Sequence, residues 1–212
     1  MPNPPSTRSV KIGQDERGGW SSDRPRPDGA PARPPSLATR CRLLSPSDRL
    51  RYSPGSLLMV VSASQAARDQ FVARLIEDKA SVFSVDKVRG LLAGRVPAEE
   101  MDARIDELLR AAVGKRLEAG ETVVVPAEGL APESREPWVR MAAGHRRPRH
   151  VILVEGARDD VDDADRAALN ALRKALDAGE LGAEGFQTAL RLGGASVAEV
   201  KRIVFQPAPR DD

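Results

Sequence analysis

Cysteine is almost missing from this 212-residue sequence. Cys41 stands alone, so neither an internal disulfide nor a multi-cysteine zinc site is available, and a cytoplasmic setting is the expectation. Histidine is nearly as scarce. His145 and His150 have no Cys or His partners at metal-ligand spacing, so no zinc site is expected. Two histidines, with no G-x-S-x-G around Ser62 or Ser64, give no basis for a hydrolase triad. Aromatics are only 3% of the chain, so the core must be built from Val, Leu, Ile and Ala. Little side-chain surface is then left for stacking single-stranded bases. No apolar run approaches the roughly 20 residues of a membrane span. The opening MPNPPSTRSVKIG has no apolar core of a secretory signal. A net charge of +2 gives no field strong enough to argue for DNA or an anionic membrane.

What is present divides near residue 54. Upstream, Pro2, Pro4, Pro5, Pro25, Pro27, Pro31, Pro34, Pro35, Pro46 and Pro54 are interspersed with Gly, Ser and Arg, and no helical or strand period survives. Residues 1–54 are expected to form a disordered or extended arm. The arm carries ten basic and five acidic side chains and so is net positive. It is suited to solubilise the chain or to dock on an acidic protein partner or on RNA. Its last part, SLATRCRLLSPSDRLRY (36–52), is less polar and expected to pack against the domain formed by residues 55–212.

Within that domain, Leu57 to Val61 is an apolar run of strand length. An amphipathic stretch from Ala67 to Lys79 follows, with Phe71, Val72, Leu75 and Ile76 on one face. Ser81 to Ser84 is expected as a short second strand and Val85 to Ala93 as a helix. Met101, Ile105, Leu108, Leu109, Ala112, Val113 and Leu117 recur at helical spacing in a longer helix from Ala98 to Ala119, which Gly120 stops. Thr122–Val125, Val151–Val154 and Thr188–Leu192 read as strands, and Pro132–Gly144 and Asp163–Ala178 as helices. Residues 197–206 fit either a helix or a final strand. Apolar strands alternating with helices predict an α/β fold with a doubly wound parallel sheet.

Ligands of such sheets bind beyond the carboxyl ends of the strands, which directs attention to the first strand-to-helix turn, Val60 to Phe71. Laid over G-x-x-x-x-G-K-[ST], this turn has the right length and place but the wrong residues. The position of this turn, S-x-D-x-x-R at Ser84, Asp86 and Arg89, and ETVVVPAEGLAPESREPWV with its Pro-Glu-x-Arg helix together resemble the bacterial P-loop kinases of the polynucleotide-kinase-like type, over roughly residues 55–155. The resemblance implies a P-loop kinase-like fold and an ATP-dependent, magnesium-assisted transfer of phosphate to a hydroxyl. It aligns Ser62 and Ala67 with the two glycines, Arg68 with the lysine and Asp69 with the magnesium-binding Ser/Thr. Ser64 matches a serine often found inside the loop. Asp86 would be the general base, and Arg89 would contact the acceptor's phosphate.

The departures have physical consequences. Gln65 and Ala67 put side chains where glycines would let backbone N–H groups curl around phosphate. Arg68 keeps the charge but is bulkier and planar. Asp69 places an anion where phosphate should sit, a repulsion on the order of several kcal/mol; it also complements the helix terminus and is placed to pair with Arg68. Downstream, Pro126, Glu128 and Gly129 replace the family's polar residues. The segment where the family carries lid arginines, residues 158–166, is predominantly acidic. The sequence therefore points to a degenerate phosphate loop, no bound cofactor, and a binding or assembly role through a protein partner reached by the arm. The alternatives are a divergent ATP- and magnesium-dependent nucleotide or polynucleotide kinase using Asp86 and Arg68, and a non-catalytic nucleic-acid-binding protein. For the last, Arg146, Arg147 and Arg149 are the candidate contacts, at the amino ends of the strands; a solvated loop is the plain reading of the same cluster. Likewise Asp86 would simply cap the helix beginning at Lys87, Trp138 would pack, and Glu184-Gly185-Phe186 would be a turn docking Phe186.

Overall fold

The computed structural model describes residues 37–156, 161 and 163–207. The elements in chain order are β1 (Arg42–Leu43), β2 (Arg49–Tyr52), β3 (Leu57–Val61), α1 (Gln65–Leu75), a 3-10 turn (Lys79–Ser81), α2 (Val85–Leu92), α3 (Ala98–Glu118), β4 (Val123–Pro126), α4 (Pro132–Gly144), β5 (Arg149–Val154), α5 (Asp163–Asp177), α6 (Leu181–Glu184), β6 (Thr188–Leu192), α7 (Ala195–Glu199) and β7 (Arg202–Phe205). Five strands form a sheet in the order β1-β6-β5-β3-β4, and β2 and β7 form a separate two-stranded ribbon. Every ladder between these strands is parallel. The α/β architecture with a parallel central sheet is as the sequence predicts.

The five residues of β3, LLMVV, are all buried because both faces of the sheet are covered. Side chains alternate between faces. Leu57, Met59 and Val61 pack with Val113 and Leu117 of α3, Val139 and Ala142 of α4, and Leu169, Leu172 and Leu176 of α5. Leu58 and Val60 face the other way, onto Phe71, Val72 and Leu75 of α1 and onto Leu50, Tyr52 and Ile203 of the ribbon. One face of the sheet is therefore covered by helices and the other by a helix beside the β2–β7 ribbon.

The ribbon moves the boundary read at residue 54. The described residues, from 37 onward, belong to one compact unit, and both Leu50 and Tyr52 are buried within it. Strand β2 reads Arg-Leu-Arg-Tyr with its arginines exposed and its apolar residues buried, an alternation that prolines on either side conceal. The expected packing of residues 36–52 is achieved by strand pairing, with Leu44 N–H donating to Ala189 O at 2.8 Å. The rest of the proposed arm, residues 1–36, lies outside the described residues. Residues 197–206 prove to be both alternatives in succession, the end of α7 and then β7.

The short strand expected at 81–84 is reduced to a single bridge between Val82 and Val124, with Phe83 N–H donating to Val124 O at 2.9 Å. Strand β4 is accordingly close to an edge, where Pro126 can be accommodated without an N–H to donate. Gly182 is required by close approach, since a Cβ there would lie 2.2 Å from Thr39 O. Gly185 (φ 105°) ends α6 and turns Phe186 fully into the core, as the Glu-Gly-Phe turn predicts.

Candidate functional site

The turn between β3 and α1 is only three residues long, Ser62 to Ser64. Helix α1 begins at Gln65, so Gln65 to Asp69, the residues aligned with the second half of a phosphate loop, are wound into its first turns. The reason is local. Ser64 Oγ accepts from Ala67 N–H at 3.3 Å, and Ser62 Oγ accepts from Ser64 N–H at 3.1 Å. Two hydroxyls thus occupy backbone donors that a phosphate would otherwise use.

Arg68 is buried, and its guanidinium is committed on three sides. Nε donates to Asp69 Oδ1 at 2.8 Å, Nη1 donates to the carbonyl of Ala127, and Nη2 lies 3.4 Å from Glu128 Oε1. The Arg68–Asp69 pairing anticipated from sequence is present, and Glu128, one of the downstream replacements, completes it. The turn from Ser62 to Ser64 contains no glycine, and the buried guanidinium of Arg68 is neutralised by Asp69 and Glu128.

Asp86 and Arg89 are both exposed on α2. Arg89 binds Asp86 at 3.4 Å and Asp102 at 3.1 Å, so its charge is shared between two carboxylates. Gln65 Nε2 is 3.5 Å from Asp86 Oδ2, which places Asp86 beside the start of α1. The helix cap assigned to Asp86 is supplied by Ser84, whose Oγ accepts from Lys87 N–H at 3.3 Å; Asp86 sits in the first turn.

Of the three arginines at the start of β5, Arg147 and Arg149 have separate structural tasks. Arg147 Nε and Nη2 donate to the carbonyls of Leu117 and Glu118 at the end of α3, at 2.8 and 3.3 Å. Arg149 Nε donates to Gly185 O at 2.7 Å, and burial lowers its pKa. Arg146 is exposed with φ 57°. Beside them lies a buried polar group. His150 Nδ1 is 2.8 Å from Thr188 Oγ1 and Nε2 is 3.3 Å from Ser56 Oγ. Because Ser56 Oγ donates to Ser53 O at 2.6 Å, it is free to accept from Nε2–H, and Nδ1 accepts from Thr188. Burial and the charge of Arg149 push the histidine down to about 4, so it is neutral near pH 7. Tyr52 stacks on it at a centroid distance of 4.6 Å, and burial raises the tyrosine's pKa.

Sequence reasoning missed a second group at the carboxyl ends. Glu155, just after β5, accepts from Arg173 Nε at 2.6 Å and from Arg191 Nε at 2.8 Å. Burial works to raise its pKa, but these hydrogen bonds and charges hold it below the ordinary carboxylate range. Arg166, Asn170 and Arg173 line one cavity of about 410 Å³ with Ala63 and Glu155. Their spacing of four and three residues along α5 was a readable signal. Of the acidic segment at 158–166, residues 158–160 and 162 lie outside the described residues. Among those described, no group of three His, Cys, Asp or Glu side chains is placed to hold a metal. Nor is any helix among them long and apolar enough to cross a membrane.

The sequence matches no protein-family model, and no curated protein is similar to it. Two of the solved structures that match this chain are described by their similarity to it. One, from Chloroflexus aurantiacus j-10-fl, is provisionally described as a kinase; it is 13% identical with a TM-score of 0.41, over 66% of this chain and 86% of its own. The other is an uncharacterized protein from Eubacterium ventriosum ATCC 27560, 12% identical with a TM-score of 0.36, over 65% and 88%.

Proposed function

We propose that this chain is a P-loop kinase-like scaffold that no longer binds ATP or transfers phosphate, and that it works by binding a protein partner. The observation that carries this reading is the state of Arg68. A phosphate-binding cation must be free to reach phosphate oxygens, whereas this one is buried among Asp69, Glu128 and Ala127 O. Releasing it would leave two carboxylates and a carbonyl without their donor. Helical winding from Gln65 adds a second obstacle, since the backbone donors of Ser64 and Ala67 already have serine acceptors. A scaffold kept intact around such a turn suits attachment better than turnover.

Calorimetry with Mg·ATP tests this on the unaltered protein and on a variant carrying Ser62→Gly, Gln65→Gly, Ala67→Gly, Arg68→Lys and Asp69→Ser. No binding heat at millimolar ATP for the first, with recovery of binding in the second, supports the reading. Micromolar binding by the unaltered protein overturns it.

In that event the divergent kinase becomes the reading to pursue. One observation favours it: Gln65 holds Asp86 beside the start of α1, where a base would have to stand. Turnover abolished by Asp86→Ala would then identify that base. The nucleic-acid reading has less support, because Arg147 and Arg149 are occupied by backbone carbonyls.

A further inference from the structure

Strand β7 is occupied on both sides. One side pairs with β2, and on the other Glu77, just after α1, binds Arg202 at 2.8 Å. Strand β2 has no second neighbour among the described strands, and residues 45–49 that lead into it are exposed. Its bonding to β7 uses alternate residues. Arg202 N–H donates to Asp48 O at 3.1 Å and Gln206 N–H to Tyr52 O at 2.9 Å, with Leu50 opposite Ile203 between them. The N–H and C=O groups of Arg49 and Arg51 therefore point the other way, to the open edge. Among the described residues only Arg49 O has a partner there, the hydroxyl of Ser47 at 2.9 Å. The same two residues carry the charge. Their side chains are exposed on the outer face of the ribbon, about 7 Å apart along the strand. Arg49 Nη2 reaches the side-chain oxygen of Gln206 at 3.3 Å, and Arg51 Nη1 reaches Pro207 O at 3.4 Å. Among the described residues no carboxylate pairs with either, not even the exposed Asp48 next to Arg49. The edge thus offers unpaired backbone groups beside two guanidinium groups held only by neutral oxygens.

We propose that the open edge of β2 receives an extended acidic segment of a partner protein as a third strand, with carboxylates at alternate positions pairing to Arg49 and Arg51. Residues opposite one another across a ladder stand on the same face, so the two carboxylates belong two residues apart, where opposite charges are favourable. The same rule disfavours a second copy of β2, which would set arginine against arginine. Backbone pairing supplies affinity at such an edge, and alternate side chains supply selection. A nucleic-acid strand would meet the charges but brings no amide ladder, so the edge favours a peptide. The proposal rests on the reading of this chain as a protein that binds a protein partner.

The probe is a rhodamine-labelled Val-Glu-Val-Glu-Val amide, titrated by anisotropy into the full-length protein beside its Val-Lys-Val-Lys-Val counterpart and labelled decathymidylate. The acidic peptide is expected to bind saturably and at least roughly tenfold more tightly than the other two, the scale of two charge pairs. It should also slow amide exchange at Arg49 and Arg51. Arg49→Glu with Arg51→Glu is expected to reverse the order of the two peptides, a result that itself requires an intact ribbon. If circular dichroism shows that variant unfolded, Arg49→Gln with Arg51→Gln takes its place, with a roughly tenfold loss of the acidic peptide expected. Arg146→Glu, exposed before β5, should leave binding unchanged. No saturable binding, a preference over the lysine peptide below about twofold, tighter binding of decathymidylate, or unchanged exchange at the two amides overturns the proposal. Calorimetry with Mg·ATP separates the two kinds of failure. Loss of the peptide result alone overturns this edge, whereas micromolar ATP binding overturns the reading on which it rests.

Discussion

Arg135 and Glu184, 49 residues apart in sequence, form a two-armed ion pair with Nε and Nη2 at 2.8 and 2.7 Å from the two carboxylate oxygens. The third arm, Nη1, donates to Leu130 O at 2.6 Å. The arginine is 1% exposed, so α4 is tied to α6 by a charge that has no alternative contact with water. Removing one partner of such a pair costs about 3–5 kcal/mol, while replacing both with apolar groups is often neutral. Arg135→Ala is therefore expected to lower the urea midpoint severely, and Arg135→Met with Glu184→Leu to recover most of it. A loss below about 1 kcal/mol in Arg135→Ala, the scale of an exposed pair, contradicts this account.

His150 makes stability depend on pH. Its folded pKa of about 4 lies below the ordinary 6.5, so the unfolded chain takes up a proton where the folded one does not. The stabilisation is complete above pH 6.5, falls as pH drops towards 4, and amounts to on the order of 3 kcal/mol. Urea unfolding at pH 7.5 and 4.5 should show this loss, with a shallower dependence in His150→Gln. Parallel pH profiles for the two proteins would count against it.

Gly182 admits the chain at Thr39 and Cys41. A Cβ would stand 2.2 Å from Thr39 O and 2.9 Å from Cys41 N, and both contacts are backbone. Gly182→Ala is expected to force residues 39–44 off β6 and to speed amide exchange at Arg42 and Leu44, whose N–H groups donate to Gln187 and Ala189. Unchanged protection at these two amides would refute the close packing.

Removing residues 1–54 tests where the folded unit starts. The deletion takes away β1 and β2, including buried Tyr52 and buried Leu50, the latter with a burial contribution of about 1.5–3 kcal/mol. It also leaves β7 without its only ladder partner among the described strands. The shortened protein is expected to be insoluble or to bind hydrophobic dyes. A cooperative unfolding transition matching the full chain would restore the boundary at residue 55.

Much of the fold was legible because its signals are local. The β3 run, the helical spacing of Ile105, Leu109, Val113 and Leu117, and Pro132 opening α4 all depend on neighbours within a few residues, and the elements fall close to where these signals put them. The candidate turn was legible in position and in charge, down to the adjacent Arg68 and Asp69. Its winding was harder to see, because whether Gln65–Asp69 wraps a ligand or continues a helix depends on which acceptors its N–H groups find. Glu155, Arg173 and Arg191 escaped notice because they converge from three elements on one point.

The sequence by itself determined the alternation of apolar strands and amphipathic helices, the lack of an internal disulfide in a chain with one cysteine, and a turn after β3 that holds neither glycine nor lysine. Those properties follow from residue type and short-range spacing. Tertiary structure alone decided that β2 joins β7 across more than half the chain, that Arg135 is buried against Glu184, and that Arg68 is held by Glu128 and Ala127. Each of these contacts joins residues far apart in sequence, and burial sets its value by removing water as the competing partner.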